Sequence, residues 1–366
     1  MFKLARIGNY PTSTHNKVGF HAYNLFFNDK IKTLYISAKI PGTPLPLNKN
    51  AYLKRFNFLL KAYPLQEIFI KRIIFNLNRI ISILNFSLKT ILFLQNKKIN
   101  IIHIHSPMYI LVAIWGYLTK KYIYISFHGE EIRKVKNSFF YKKIAFIFNA
   151  VFCISKPLLD ELKKIHSQPI YYIGNGIDDK EFVDLSLVKK KQILFVAKFK
   201  KVKRHKLIID GFAKFISNKQ FSDYQLLLAG DGDLLDEIMT YVENNKFNNV
   251  NFLGNKTSSE LVKIYNESEV FALTSEREGF PKVILEAIAC DCKIVSTNVG
   301  SIDEILGKDY PFFILSDKPD EVCRILTKSV KNDFKIDKDK ILKKFNWERI
   351  RNKYLNIYMN DLNDKI

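Results

Sequence analysis

An alternation runs through this chain of 366 residues and limits it to one broad class of fold. Short, nearly continuous apolar runs alternate with longer amphipathic stretches. Apolar runs of strand length mark strands buried on both faces, and the amphipathic stretches supply the crossovers that parallel strands require. In the first half, strands are expected at Phe2–Ile7, Thr33–Ser37, Ile99–Ile104, Tyr122–Ser126, Val151–Ile154 and Ile170–Ile173, with helices at Gly19–Phe27, Tyr109–Leu118 and Lys156–Lys164. In the second half, strands are expected at Gln192–Ala197, Gln225–Ala229, Val250–Phe252, Val270–Leu273, Lys293–Ser296 and Pro311–Ile314. Helices follow near Lys203–Ile216, Leu234–Glu243, Ser258–Tyr265, Pro281–Cys290, Ile302–Leu306 and Asp320–Lys328. The fold class is therefore α/β, built from βαβ units.

At about 100–200 residues per domain the length suits two domains. A hydrophobic content of 47% is enough for two cores. The stretch Gly174-Asn175-Gly176-Ile177-Asp178 reads as the turn between them, because glycine and asparagine tolerate left-handed backbone angles. Two doubly wound domains facing a central cleft follow, with ligands beyond the carboxyl ends of the strands. One segment breaks the alternation. Phe56 to Leu94 is apolar and basic, with Lys61, Lys71, Arg72, Arg79 and Lys89 against a single Glu67. Its apolar residues recur at helical spacing, which predicts one or two amphipathic helices. Two readings are open: the apolar face packs on the domain core, or the helix lies on an anionic membrane.

Four cysteines, Cys153, Cys290, Cys292 and Cys323, form no CxxC pair, which argues against a disulfide framework or a zinc site. The start, Met1–Arg6, lacks the apolar run of a secretion signal. No segment is expected to offer the roughly 18 uninterrupted apolar residues of a membrane span; the closest run, Ile101 to Leu118, is broken by His103, His105 and Pro107. A soluble protein in a reducing cytosol is the expectation. A net charge of +22 calls for an anionic partner: nucleic acid, a membrane surface or a phosphorylated substrate. The basic residues are spread over both halves without a helix-turn-helix, RRM or zinc-finger pattern, so nucleic acid is not expected.

Chemistry concentrates in Glu278-Gly279-Phe280-Pro281-Lys282-Val283-Ile284-Leu285-Glu286, directly after an apolar strand. Gly279 lets the backbone approach a ligand, and Pro281 suits the first turn of a helix. A helix terminus placed there attracts phosphate through its N–H groups and dipole. Glu286 stands out in an otherwise apolar helix and can point to the same cleft, and carboxylates accept hydrogen bonds from sugar hydroxyls. A second basic element, Lys198 to Arg204, follows the strand at Gln192–Ala197 and opens a helix, an arrangement that holds phosphate. The Asp231-Gly232-Asp233 group reads as a turn and helix cap, not as a metal site.

The Glu278–Glu286 segment resembles the E-x7-E motif of family-4 retaining glycosyltransferases. The resemblance covers most of the chain and is most specific between Ile193 and Glu304. It implies the GT-B fold, with two Rossmann-like domains at 1–176 and 177–345, the first binding acceptor and the second nucleotide sugar. A helix over 346–366 would cross back to the first domain. The resemblance implies that Glu278 holds the donor sugar, that Glu286 holds the ribose, and that the backbone around Gly279, Phe280, Pro281, Lys282 and Val283 contacts sugar and diphosphate. Lys198 matches the family's arginine and Lys203 its lysine, both on the diphosphate. Lysine at 198 gives a point charge where the family has a planar fork. Gly230, in Ala229-Gly230-Asp231-Gly232, matches a strand-ending turn of the donor site. His128, in Phe127-His128-Gly129-Glu130, matches the family's His-Gly element facing the reacting sugar. Gly19 matches a glycine that presents its N–H to the diphosphate. His105 and Ser106 are expected to line the cleft and His103 to be structural. The loop Asn298-Val299-Gly300-Ser301 and Glu304 also match, while Asp291-Cys292 stand where Gly-Pro is usual and Ser301 where glycine is frequent.

The expected activity is retaining, metal-independent transfer of a hexose or N-acetylhexosamine from a UDP-linked donor, without a cofactor. The acceptor is a saccharide, lipid-linked or lipopolysaccharide, in bacterial surface glycan synthesis at the inner face of the plasma membrane. The alternatives are a nucleic-acid- or anionic-surface-binding protein without catalysis, and a sugar phosphorylase or synthase of the same fold.

Overall fold

The computed structural model describes residues 2–9, 25, 31–39, 43–47, 50–57, 69–129, 131–177 and 180–363. The chain divides into two compact units, Met1–Gly174 together with Ile350–Ile366, and Asn175–Arg349.

The first unit is a seven-stranded sheet in the order β3-β2-β1-β4-β5-β6-β7. Its strands are β1 (Phe2–Ile7), β2 (Ile31–Ala38), β3 (Ala51–Phe56), β4 (Ile101–Ile104), β5 (Tyr122–Phe127), β6 (Ala150–Cys153) and β7 (Ile170–Tyr172). Every pairing is parallel. The crossover helices are α1 (Phe69–Gln95), α2 (Ile110–Leu118), α3 (Ile132–Lys136), α4 (Phe139–Ile144) and α5 (Lys156–Leu162). All six strands expected in this half are present within two residues of their expected ends. The strand β3 was not foreseen. It is a partly exposed edge strand carrying Lys54 and Arg55, and charge on an edge hides the apolar signature while blocking further pairing. The helix expected at Gly19–Phe27 falls outside the described residues apart from Leu25.

The sheet alternates its side chains between two helical layers. Gly116 of α2 rests on Ile102 and Ile123, where an added Cβ would lie 2.7 Å and 2.5 Å from their Cδ1 atoms. The intervening His103 and Tyr124 point to the other face, where the final helix α13 (Trp347–Asn363) packs from Ile350 onward. That face is polar. Arg6 is wholly buried, with Nη1 3.2 Å from His103 Nδ1 and 3.1 Å from His105 Nε2, and Nη2 donating to Tyr358 at 3.4 Å. A guanidinium only donates, so both histidine nitrogens facing it accept. The Nδ1 lone pair of a neutral His103 is then shared between Arg6 and the Tyr358 hydroxyl, which lies closer at 2.5 Å, and Nε2 donates to Ser126 Oγ at 2.8 Å. Ser126 lies 3.1 Å from Tyr354 Oη, and Tyr124 donates to Asp361 at 2.6 Å. Strands β1, β4 and β5 are thereby tied to α13.

The second unit is a six-stranded, all-parallel sheet in the order β10-β9-β8-β11-β12-β13. It comprises β8 (Lys190–Val196), β9 (Gln225–Ala229), β10 (Val250–Gly254), β11 (Ser268–Leu273), β12 (Lys293–Thr297) and β13 (Phe313–Ile314). Its helices are α6 (His205–Ile216), α7 (Leu235–Asn244), α8 (Ser258–Glu267), α9 (Lys282–Ala289), α10 (Ile302–Leu306), α11 (Pro319–Val330) and α12 (Lys338–Lys344). All six strands expected here are again present, each within two residues. Short, charged α12 was not expected. The segment after Gly174 (φ +82) runs past the start of α13: Ile177 donates to Phe345 O at 3.0 Å, and Gly176 lies under the Trp347 ring. The first turn of α13 is capped by Asn346 Oδ1, which accepts from Arg349 N at 2.8 Å.

The Tyr358 hydroxyl serves both Arg6 and His103, so Tyr358→Phe leaves buried donors and acceptors short of a partner. It is expected to destabilise the first unit by about 1–3 kcal/mol in urea unfolding. An unchanged midpoint would show that this network does not hold α13.

Candidate functional site

Each sheet reverses its winding once, between β1 and β4 in the first unit and between β8 and β11 in the second. In a doubly wound sheet the loops leaving such a pair of strands diverge and leave a crevice. The basic loop Lys198–Arg204 leaves β8, and Thr274–Pro281 leaves β11. The two loops are stitched together. Glu276 N donates to Val202 O at 2.8 Å, and Thr274 Oγ1 sits 3.1 Å from Lys203 O and 3.2 Å from Arg204 O. These bonds hold Arg204 in its left-handed conformation (φ 53, ψ 51) at the head of α6.

Lys203 and Glu278 meet across this seam. The lysine Nζ lies 2.5 Å from Glu278 Oε1, and Ser275 Oγ donates to the same oxygen at 2.6 Å. Both members of the pair are largely buried, with side chains 22% and 12% exposed, so their attraction is less screened than that of a surface pair. Arg204 is ion-paired with Asp317, whereas Lys198 is exposed and makes no side-chain hydrogen bond or ion pair among the described residues. His205, next in sequence, is not part of the cationic set. Its ring stacks on Phe199 at 4.1 Å, and burial, helped by Lys203, pulls its pKa down to about 4.

Helix α9 starts at Lys282, with Pro281 ahead of it in extended geometry and Ile284 N bonded to Pro281 O at 3.1 Å. Pro281 was expected inside the first turn, but it precedes it. The positive end of the helix dipole thus lies just beyond Gly279. Phe280 turns its ring inward onto Phe345, 5.2 Å away. Glu286 is only 9% exposed, and its Oε2 accepts from the buried Tyr265 hydroxyl at 3.2 Å. Tyr265 is itself anchored, since its carbonyl accepts from Cys292 Sγ at 3.0 Å and Lys189 Nζ at 3.4 Å. Cys290 and Cys292 are buried thiols whose pKa burial raises to about 12. Asp291 occupies a left-handed position (φ 58), the conformation for which glycine is usual, and aspartate is among the few residues that tolerate it.

Two glycines bring backbones together here. Gly300 (φ +67) lies so close that a Cβ would be 2.4 Å from Glu278 O, and Gly230 (φ +145) would place one 2.0 Å from Ala197 O. Gly230 therefore fits the end of β9 under the Lys198 loop. Asp231 Oδ1 accepts from Gly232 N at 2.7 Å, as a turn residue. Asp233 was expected to cap the following helix, but the cap position is Leu234, without a side-chain bond.

In the first unit the matching switch point holds His105, whose N–H bonds Ile7 O at 2.9 Å and whose ring stacks on His128 at 5.9 Å. Burial lowers the pKa of His128, with Glu131 opposing, and Glu131 Oε2 accepts from the His128 backbone N–H at 3.2 Å. Ser106 Oγ accepts from Met108 N at 3.4 Å. Gly19 and Glu130 lie outside the described residues. Sequence reading missed Ser275 and Tyr265. Ser275 stands three residues before Glu278, at the end of a strand. Tyr265 gives no local signal, because only the packing of α8 on α9 brings it to Glu286.

Tyr265→Phe removes the hydrogen bond to a buried carboxylate and is expected to destabilise the second unit by about 1–3 kcal/mol in urea. No change in midpoint would mean that Glu286 is not held by Tyr265.

Two family models match the chain, Glycosyltransferase Family 4 over residues 49–181 and Glycosyl transferases group 1 over residues 177–345. The chain is 28% identical over 235 residues to N-acetyl-alpha-D-glucosaminyl L-malate synthase of Bacillus anthracis, covering 58% of this chain and 60% of the relative. It is 34% identical over 136 residues, 37% of this chain and 35% of the relative, to the N-acetylgalactosamine-N,N'-diacetylbacillosaminyl-diphospho-undecaprenol 4-alpha-N-acetylgalactosaminyltransferase of Campylobacter jejuni. The chain spans about three fifths of the length of the first curated relatives it matches. Among solved structures, an Anabaena protein in complex with UDP and glucose superposes with a TM-score of 0.71 at 13% identity, covering 98% of this chain and 100% of that one. With the two parallel sheets and the helix returning to the first of them, these matches show that the chain belongs to the glycosyl transferases of group 1, family 4, with the GT-B fold.

Proposed function

We propose that this glycosyltransferase moves a hexose or N-acetylhexosamine, with retention of configuration, from a UDP-linked donor to a saccharide acceptor. On this reading the acceptor is lipid-linked or a lipopolysaccharide in bacterial surface glycan synthesis, and the reaction runs at the inner face of the plasma membrane. The observation that carries the reading is the Lys203–Glu278–Ser275 cluster at the β8/β11 switch point, with Glu286 in the helix that follows. The choice of UDP comes from the family resemblance. The N-acetylhexosamine draws on the two relatives, whose names specify N-acetylglucosaminyl and N-acetylgalactosaminyl chemistry.

The difficult event is cleavage of the bond between the anomeric carbon and the diphosphate oxygen. The electron pair leaves with the oxygen, so negative charge grows on phosphate and positive charge on the sugar. Fixed positive groups at the phosphate lower that barrier. Lys203, Lys198 and the start of α9 are assigned this role, with Gly230, Gly279, Phe280, Pro281, Lys282 and Val283 contributing backbone. Glu278 takes sugar hydroxyls and Glu286 the ribose. Because Lys203 also touches Glu278, the cation at the phosphate and the carboxylate at the sugar are set by one another. The acceptor hydroxyl attacks the same face, and its proton passes to the departing phosphate. His128, in the first unit, and Gly19 are assigned to sugar and diphosphate by the same resemblance. The reaction needs no metal on this account, since lysines neutralise the leaving group.

Thermal shift with UDP-, GDP- and ADP-sugars tests the reading, because a ligand at one hundred times its Kd stabilises the folded state by about 2.7 kcal/mol. The UDP-sugar is expected to raise the Tm of the wild type and not of Glu286→Ala. Turnover is expected to survive EDTA, and NMR is expected to show retained anomeric configuration. A shift with no UDP-sugar, or inversion in the product, would contradict the proposal.

A further inference from the structure

Helix α1 is built inside out. Its buried positions include Ser82, Ser87 and Thr90 beside Phe86 and Leu94, while Leu77, Ile80, Ile81, Leu84, Leu88 and Leu92 are 48–60% exposed. The exposed set recurs every three or four residues, so it forms one continuous apolar stripe on the face turned away from the sheet. A crossover helix that served only its own core would show the reverse pattern. The stripe has a neighbour. Helix α2 lies beside α1 and ends in exposed Tyr117 and Leu118, and Tyr117 meets the exposed Phe146 edge-on at 5.6 Å. Just before Phe146, α4 exposes Phe139 at 72% and Phe140 at 59%. The crossovers from β3 to β4, β4 to β5 and β5 to β6 all advance in the same direction along the sheet, so right-handed connections place them in one layer.

That layer is also positively charged. From Ile68 to Gly129 the sequence contains no aspartate or glutamate. Helix α1 carries Arg79 and Lys89, and α4 carries Lys142 and Lys143, with Lys143 stacked 4.6 Å over Phe139. We propose that the outer surface of α1, the end of α2 and α4 docks on an anionic lipid bilayer, with the leucine stripe and phenylalanines in the headgroup–acyl boundary and the cations on lipid phosphates. A second copy of the chain is a poorer occupant, since two such faces would set cation against cation with no acid on these helices to pair. Asn76–Gln95, read from sequence as part of an amphipathic helical segment, is long and apolar enough to cross a membrane by length and composition. As the crossover between two parallel strands of one sheet, α1 keeps one side on that sheet and cannot be surrounded by lipid. It lies in the bilayer surface.

The inference does not depend on the donor chemistry. It is tested by flotation of the whole protein with phosphatidylcholine vesicles containing phosphatidylglycerol, and with phosphatidylcholine alone. The expected result is flotation with the anionic vesicles, weakened by salt. Ile81→Glu with Leu88→Glu, both on the exposed stripe, is expected to lower vesicle affinity on the order of tenfold or more without moving the unfolding midpoint. Phe139→Ala with Phe140→Ala tests the second patch and is expected to weaken binding severalfold. Wild type that stays with the dense fraction, or both double variants floating as wild type does, would overturn the proposal. So would a wild-type dimer that the glutamate variant converts to monomer with flotation unchanged, since that would assign the face to a second copy. UDP binding, measured separately on the same protein, keeps a failure here distinct from a failure of the glycosyltransferase reading.

Discussion

The constraint behind this structure is that parallel strands cannot be joined by a hairpin. Every β-to-β step needs a crossover, and every crossover returns to the same end of its sheet. All loops that follow strands therefore gather at the carboxyl ends. At the one place where the winding reverses, two such loops lie side by side with no helix between them. In the second unit those loops carry Lys203 and Glu278, far apart in sequence and 2.5 Å apart in space. In the first unit the corresponding pair is β1 and β4; His105 follows β4, and its ring stacks on His128, which follows the neighbouring β5. The chemistry sits where the topology leaves backbone and charge uncovered.

The first sheet is also sealed on one face by an unusual device. A buried guanidinium, two histidines and two tyrosine hydroxyls replace an apolar contact between the sheet and α13. Burying a charge is costly unless it is hydrogen-bonded, and directional bonds specify one packing where an oily surface admits several. The last helix is thus located by directional bonds. On the opposite face the helices bury hydroxyls and expose leucines, so the two faces of one sheet solve opposite problems.

Much of this was legible from residues alone, and the reasons it was legible explain where it failed. Central parallel strands are predominantly apolar, and β1, β5, β8, β9 and β11 announce themselves. The edge strand β3 is half exposed and carries Lys54 and Arg55, so it lacks that signature. Helices α3, α4 and α12 are too short for a periodic pattern to form. Glu286 stood out because it interrupts an apolar helix, and Glu278 because it stands between an apolar strand and the Gly-Pro helix start. Their partners Ser275 and Tyr265 did not, since a serine at a strand end and a tyrosine in an amphipathic helix look ordinary until packing brings them together. The helical period of α1 was evident, but the direction in which its apolar face points was not. Periodicity reports that a face exists, and only tertiary contacts say whether it turns in or out. Pro281 and Asp233 show the same limit on a smaller scale: Pro281, expected in the first turn, stands one position ahead of it at the cap, and the cap expected at Asp233 falls on Leu234.

The central claim is that the loops after β8 and β11 form one nucleotide site. Hydrogen exchange with and without UDP addresses it most directly, because it reports every backbone amide without presuming which residues bind. The account predicts slowed exchange confined, within the second unit, to peptides spanning Lys198–Arg204 and Ser275–Glu286 and the Gly230 turn packed beneath the first of them. Protection that falls instead on β12–β13 or α11, or on neither loop under conditions where UDP is bound, would contradict it.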